Sequence, residues 1–263
     1  MNFLRAFLND LKRRVISPSF WIMVFLAAAA YIGSSIEELK FAWNSRTADV
    51  LYFWDMAHNI GYFTSISLLC CTAINCTSFL NDYHSFYYRS AALRSGKRSY
   101  ALSKYLLCVV TGGLTLAFGL VLVFLILMIR FPFISENSGA LDSYLRSMHH
   151  FGRGILERGN YFGFAAAYAF LAFLFGAVWS AVGVCVSAFI TDRYVASFSP
   201  YVIWYVTKRL LHGIFDTENI FRGSFDMGGV SLSMLFAVGY LGAVIAVLGV
   251  IFCIKACRRC ADQ

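Results

Sequence analysis

The sequence predicts an all-α integral membrane protein with six transmembrane helices, and three observations predict it. Six stretches, at residues 18–34, 59–80, 105–129, 161–190, 195–207 and 229–254, contain no Asp, Glu, Lys, Arg or His. Five reach the roughly 17–25 apolar residues that cross a hydrocarbon core about 30 Å thick; the fifth in order is shorter and sits beside Pro200. Composition agrees: of 263 residues, 59% are hydrophobic and 14% charged. The longest connecting segments (35–58, 81–104 and 131–160) are too short and too poor in apolar residues to bury a core of their own. Residues 1–263 therefore read as a single transmembrane domain. Finally, Lys and Arg collect on alternate sides. With the N-terminus inside, segments 1–17, 81–104, 191–194 and 255–263 hold 13 basic and 4 acidic residues, against 9 and 10 outside. This bias places both termini in the cytoplasm.

Ahead of the first span, Phe3, Leu4, Phe7, Leu8, Leu11 and Val15 recur at helical spacing, with Arg5, Asn9, Lys12 and Arg13 opposite. That pattern over residues 1–16 is an amphipathic helix lying on the inner surface, with a frayed basic leader as the alternative. Ser17-Pro18 supplies a cap and a first-turn proline for the next helix, making an elbow. Residues 18–34 lack a clear small-x-small cleavage site, so the first span is expected to stay as a signal anchor.

Small residues step at heptad spacing in two spans: Ala169, Ala172, Gly176, Ser180, Gly183 and Ser187 in the fourth, and Gly239, Gly242, Ala246, Gly249 and Cys253 in the sixth. Such stripes let helix backbones approach closely, so both helices are expected to pack against neighbours. The second span carries a polar stripe instead: Thr64, Ser67, Cys71, Asn75 and Ser78. Hydroxyls in hydrocarbon require partners, so this face either bonds to other helices or borders a translocation path or subunit interface. The fifth span is aromatic, with Phe198, Tyr201, Trp204 and Tyr205. Residues 210–228 are too apolar for a plain loop and too broken for a span, which predicts a short re-entrant segment on the outer face before the last helix. Leu141, Tyr144, Leu145 and Met148 predict another interfacial helix in the outer loop.

The cytoplasmic loop 81–104 is long enough for a helix over Tyr83–Leu93, a turn at Arg94-Ser-Gly96-Lys-Arg98, and a second run into the third span at Ser103-Lys104. Phe86, Tyr87 and Tyr88 beside Arg89 and Arg94 suit a protein interface, where aromatics and Arg are enriched; a lipid-contacting basic loop is the alternative.

The elbow, the six spans, and a loop ending in Arg-x-Gly-x-Arg-x-Tyr-x-x-Ser-Lys resemble the permease subunits of the ABC type-2 exporter family over nearly the whole chain. The resemblance implies that Tyr83–Leu93 is a coupling helix docking on a separate cytoplasmic ATPase. Asp192 and Arg193, in the short turn between the fourth and fifth spans, would lie close by. Arg98 and Lys104 match recurring basic positions of the family, whereas Asp82-Tyr83-His84-Ser85 stands where many members have Glu followed by Gly. Candidate coupling residues are thus Tyr83, His84, Phe86, Tyr87, Tyr88, Arg89, Arg94, Arg98, Asp192 and Arg193. A path lined by Thr64, Ser67, Cys71, Asn75, Phe198, Tyr201 and Tyr205 would run between two permease chains, in a homodimer or a paralogous heterodimer. The chain itself is expected to hold no cofactor, ATP and Mg belonging to the partner. The expected location is a bacterial cytoplasmic membrane, which the absence of Asn-x-Ser/Thr acceptors in the outer loops favours.

The residues argue toward the same place without the likeness. No charged group lies within the spans to couple proton flow, and the chain has no Gly-x-x-x-x-Gly-Lys-Ser/Thr phosphate loop, so energy for uphill transport must come from another chain. The net charge of +8 flanks the spans, which points to lipid headgroups rather than nucleic acid. Cys257-Arg-Arg-Cys260 lacks a partner pair for zinc, and the eight cysteines read as free thiols. An intramembrane enzyme would need a buried Ser/His, paired-Asp or His/Glu metal constellation; His58, His84, His149, His150 and His212 all lie at or outside span ends. A passive channel, or a structural or immunity-type protein without an ATPase, is the other reading.

Overall fold

The computed structural model describes residues 3–45, 48–53, 63–74, 76–85, 87–88, 96–135, 151, 153–210, 217–222, 226–227, 230–231 and 233–259. Its helices are α1 (Phe3–Ile16), α2 (Pro18–Ser34), α3 (Ile36–Ser45), α4 (Phe63–Ala73), α5 (Ser78–His84), α6 (Lys97–Met128), α7 (Arg153–Leu156), α8 (Tyr161–Ser187), α9 (Arg193–Leu210), α10 (Thr217–Arg222) and α11 (Met234–Arg259). The described residues add one two-residue antiparallel ladder, Asp226–Met227 (β1) with Val230–Ser231 (β2). Three helices, α6, α8 and α11, are long and apolar enough to cross a membrane, and a fourth crossing exists if the bent pair α1–α2 counts as one. The chain is a helical membrane protein. Two of the expected spans fall short of that measure within the described residues: α4 has 11 residues, and the 18 residues of α9 include Pro200, Arg193, Lys208 and Arg209.

α1 and α2 meet at 60°. Pro18 occupies the first turn of α2, where its missing N–H costs nothing. The expected Ser17 cap is not made. Its hydroxyl donates back to the Arg14 carbonyl at 2.6 Å, so it closes α1 rather than opening α2. Ser34 and Ser35 hydroxyls donate to the Tyr31 carbonyl at the far end of α2, satisfying a helix-end acceptor. The stretch 59–80 is not one continuous helix. α4 stops at Ala73, and Ile74, Cys76 and Thr77 turn before α5 begins. β-branched residues carry the break, and they are poorer helix formers than straight-chain ones.

α6 and α8 form the central pair. A methyl group on Gly176 would come within 2.6 Å of the Gly112 carbonyl, and one on Gly113 within 2.7 Å of Phe173, so the two backbones meet where side chains vanish. α2 lies on α6 with Ala27 facing Gly119. α4, α9 and α11 each pack on α8. The small-residue stripe of α8 is buried from Ala172 to Ser187, as its spacing predicts. The stripe of α11 departs from the expectation: Gly239 and Gly242 have open space around them, and of the five only Gly249 is buried, against Tyr105. The packed seam of α11 is the adjacent face, Ala237, Leu241, Phe252 and Ala256.

Asp49 is fully buried and its carboxylate accepts from the Tyr52 and Ser135 amides at 2.7 and 2.9 Å. Val50 donates to Pro132 at 3.1 Å, so residues 48–53 and 131–135 form one unit. Burial, then the hydrogen bond that the Tyr52 phenol donates to Glu38, raises the phenol pKa above its ordinary value. In the segment 210–228, Ile220 and Phe221 are buried, and Phe221 stacks on Phe175 at 4.7 Å. Phe175 lies fourteen residues, about 21 Å of helix, beyond the start of α8. Leu141, Tyr144, Leu145 and Met148 lie outside the described residues, as do Leu211, Ile214, Phe215 and Phe225.

Candidate functional site: a charged junction of four helices

One end of the bundle gathers the charges that flank the spans. α6 has 32 residues, about 48 Å at 1.5 Å per residue, so it outruns a hydrocarbon core by some 18 Å. The excess is its N-terminal part, which carries Lys97, Arg98, Tyr100 and Lys104 as two helical turns instead of a loop. Gly96, with φ +82°, makes the turn into it, a backbone region that L side chains rarely adopt.

α5 is fastened to that projecting end. Asp82 pairs with Lys104 at 2.7 Å and accepts a hydrogen bond from the Tyr100 hydroxyl at 2.7 Å, with both charged groups mostly shielded from solvent. Phe79 packs edge-on to Phe252 of α11, and Tyr105 of α6 stacks on the other side of that ring and donates its hydroxyl to the Ile245 carbonyl. His84 bonds through Nε2 with the Thr191 carbonyl at 3.3 Å, tying α5 to the turn between α8 and α9. Arg259 closes the junction from α11: its guanidinium lies 4.5 Å over the Tyr83 ring and donates to the Ser187 and Ala188 carbonyls at 3.3 and 3.2 Å. A cation at these carbonyls also meets the negative end of the α8 dipole.

Of the expected helix Tyr83–Leu93, residues 86 and 89–93 lie outside the described residues. Tyr83 and His84 are the last residues of α5, whose last turns are drawn onto α6 by Asp82 and onto α11 by Phe79, and Ser85 caps it at its C-terminus. Tyr88 is buried and stacks on Tyr83 at 5.5 Å, while Tyr87 is 55% exposed. Arg98 and Arg193 are exposed. Asp192 is the N-cap of α9, its carboxylate accepting from the Tyr194 and Val195 amides at 2.8 and 3.0 Å. Phe86, Arg89 and Arg94 lie outside the described residues.

The two halves of the expected path have different surroundings. Thr64, Ser67 and Cys71 are buried, and the Ser67 hydroxyl and Cys71 thiol donate to carbonyls of their own helix at 2.9 and 3.1 Å. Ser180 of α8 donates to the Cys71 backbone carbonyl at 2.9 Å, a hydrogen bond from α8 to α4. Asn75 lies outside the described residues. On α9, Phe198 and Tyr205 are exposed and Tyr201 is half-buried beside Trp204. Lys208 and Arg209 stack over Trp204 and Tyr205 at the far end of α9.

Asp82, Lys104 and Arg259 are charged junction residues that sequence reasoning did not place among the candidates. A lone acid among the five basic residues of segment 81–104 was the available signal for Asp82. Comparisons with protein-family models, curated proteins and solved structures return no match for this chain.

Proposed function

We propose that this chain is the membrane subunit of an ATP-driven ABC exporter in a bacterial cytoplasmic membrane, and that its inner-end junction receives a separate ATPase. The observation that carries the reading is the tethering of α5. A short helix is held at once to α6, α11 and the α8–α9 turn, and Tyr87, Arg98 and Arg193 around it are exposed. A push on this segment therefore reaches three helices that enter the bilayer. Rigid transmission of this kind needs a contiguous two-state element, and α5 with its break at residues 74–77 supplies the pivot.

In this reading α2, α4 with α5, α6, α8, α9 and α11 are the six spans, α1 is the elbow, and both termini are cytoplasmic. The depth at which Phe221 meets Phe175 supports the re-entrant placement of 210–228. Two such subunits enclose the path, with the outward aromatics Phe198 and Tyr205 of α9 as its lining and an amphipathic peptide, lipid or drug as cargo. The Ser180 hydroxyl of α8, donated to the Cys71 carbonyl, acts as glue between α8 and α4. ATP and Mg belong to the partner.

The test is co-purification from the native host followed by ATP hydrolysis. The wild-type chain should bring down an ATPase whose activity is lost in Tyr87→Ala/Arg98→Glu, with the elution profile of the folded chain unchanged. An untouched export phenotype in that variant, together with no ATPase in the wild-type eluate, would sink the proposal and favour the passive channel.

A further inference from the structure

Beside the junction, and independent of the exporter reading, a cleft of about 380 Å³ opens between α11 and the end of α8, lined by Ala188, Phe189, Lys255, Arg258 and Arg259. We infer that it is a binding site for the phosphate of an anionic phospholipid of the inner leaflet. The cations come first. Lys255 is the first charge after the apolar run of α11, so it stands where the hydrocarbon ends and headgroup phosphates begin. Arg259 uses one guanidinium nitrogen, Nη1, for the Ser187 and Ala188 carbonyls, and the side chain also lines the cleft. No carboxylate pairs with Lys255, Arg258 or Arg259 among the described residues. The nearby Asp192 is committed to the α9 amides.

The second observation is apolar and points to a lipid rather than a free anion. Val247, Ile251 and Ile254 are exposed along the face of α11 that runs up to Lys255 and Arg258. Phe189, 54% exposed, floors the cleft, with the Lys255 ammonium 5.4 Å above its ring. A cationic pocket at the end of an apolar strip matches an amphiphile with an anionic head, and a soluble phosphate would leave the strip unused. Each basic residue at such a surface is worth about a fivefold change in affinity.

Native mass spectrometry of the detergent-purified full chain, titrated with dioleoyl phosphatidylglycerol, reads this directly. Lys255→Gln/Arg258→Gln should lower phosphatidylglycerol binding by roughly 30-fold, with dioleoyl phosphatidylcholine binding weakly to both forms. Lys12→Gln/Arg13→Gln on α1 should leave phosphatidylglycerol binding in place. Equal losses from the two double variants would mean general surface charge and overturn the site. Displacement of the lipid by inorganic phosphate alone would overturn the lipid as its occupant. Loss of a protein dimer, rather than of bound lipid, in Lys255→Gln/Arg258→Gln would reassign the face to a second copy of the chain.

Discussion

α8 and α11 carry the same kind of pattern, small residues stepping by three and four through a charge-free apolar run, yet they occupy opposite environments. The most apolar stretch of α8 is 78% buried within the chain, and that of α11 is 22% buried. Lipid offers no hydrophobic drive between helices, so small residues earn close packing only where a complementary surface meets them. α8 meets Gly112 and Gly113 of α6; α11 meets its neighbours through Ala237, Leu241, Phe252 and Ala256, and turns Gly239 and Gly242 outward. A stripe thus marks a surface able to pack. Where the partner lies is a separate matter.

The contrast yields its largest effect at the helix crossing. Gly176→Leu forces a side chain into the Gly112 carbonyl and should cost about 3 kcal/mol or abolish folding, whereas Gly242→Leu should stay within about 0.5 kcal/mol. Thermal unfolding of both in detergent checks this, and equal losses would break the comparison. Phe175→Ala should follow at about 3 kcal/mol, because it opens a cavity in α8 and strips Phe221 of its stacking partner, while Val250→Ala on the outer face of α11 changes little.

The junction sharpens the comparison by showing how α11, with α5 and α6, is held at its charged end. Asp82→Asn should cost about 1–2 kcal/mol, less than a fully buried pair because both partners keep some water contact. The exchange Asp82→Lys/Lys104→Asp should recover part of it, as denaturant titration of the single and double variants will show. The smallest effect belongs to the unit of residues 48–53 and 131–135, where Tyr52→Phe removes one hydrogen bond worth about 1 kcal/mol. Because folding raises that phenol pKa, its contribution is whole below the ordinary value of 10.0 and is lost as pH rises through the raised value. The gap between wild type and Tyr52→Phe in melting temperature should therefore shrink above pH 10.

Charge-free run length, the Pro18 corner and the heptad stripe of α8 were legible in the chain because each is a local consequence of residue type. Helicity, membrane character and the principal long helices follow from them. The break after Ala73 was not legible, since no residue between Asn59 and Leu80 is charged and hydropathy cannot register a turn. Nor was the role of Asp82: its partner Lys104 is 22 positions away and meets it only because α6 begins eight residues before the apolar run does. The α4 stripe read equally as glue or as path; its Ser67 hydroxyl and Cys71 thiol bond within α4, and a link to α8 comes from Ser180, more than a hundred positions distant. In α11 the helix itself was determined by sequence, but which of its faces would be buried depended on the shapes of α6 and α8. Local chemistry sets what a helix is able to touch, and tertiary packing chooses among those surfaces because van der Waals contact depends on the surface opposite.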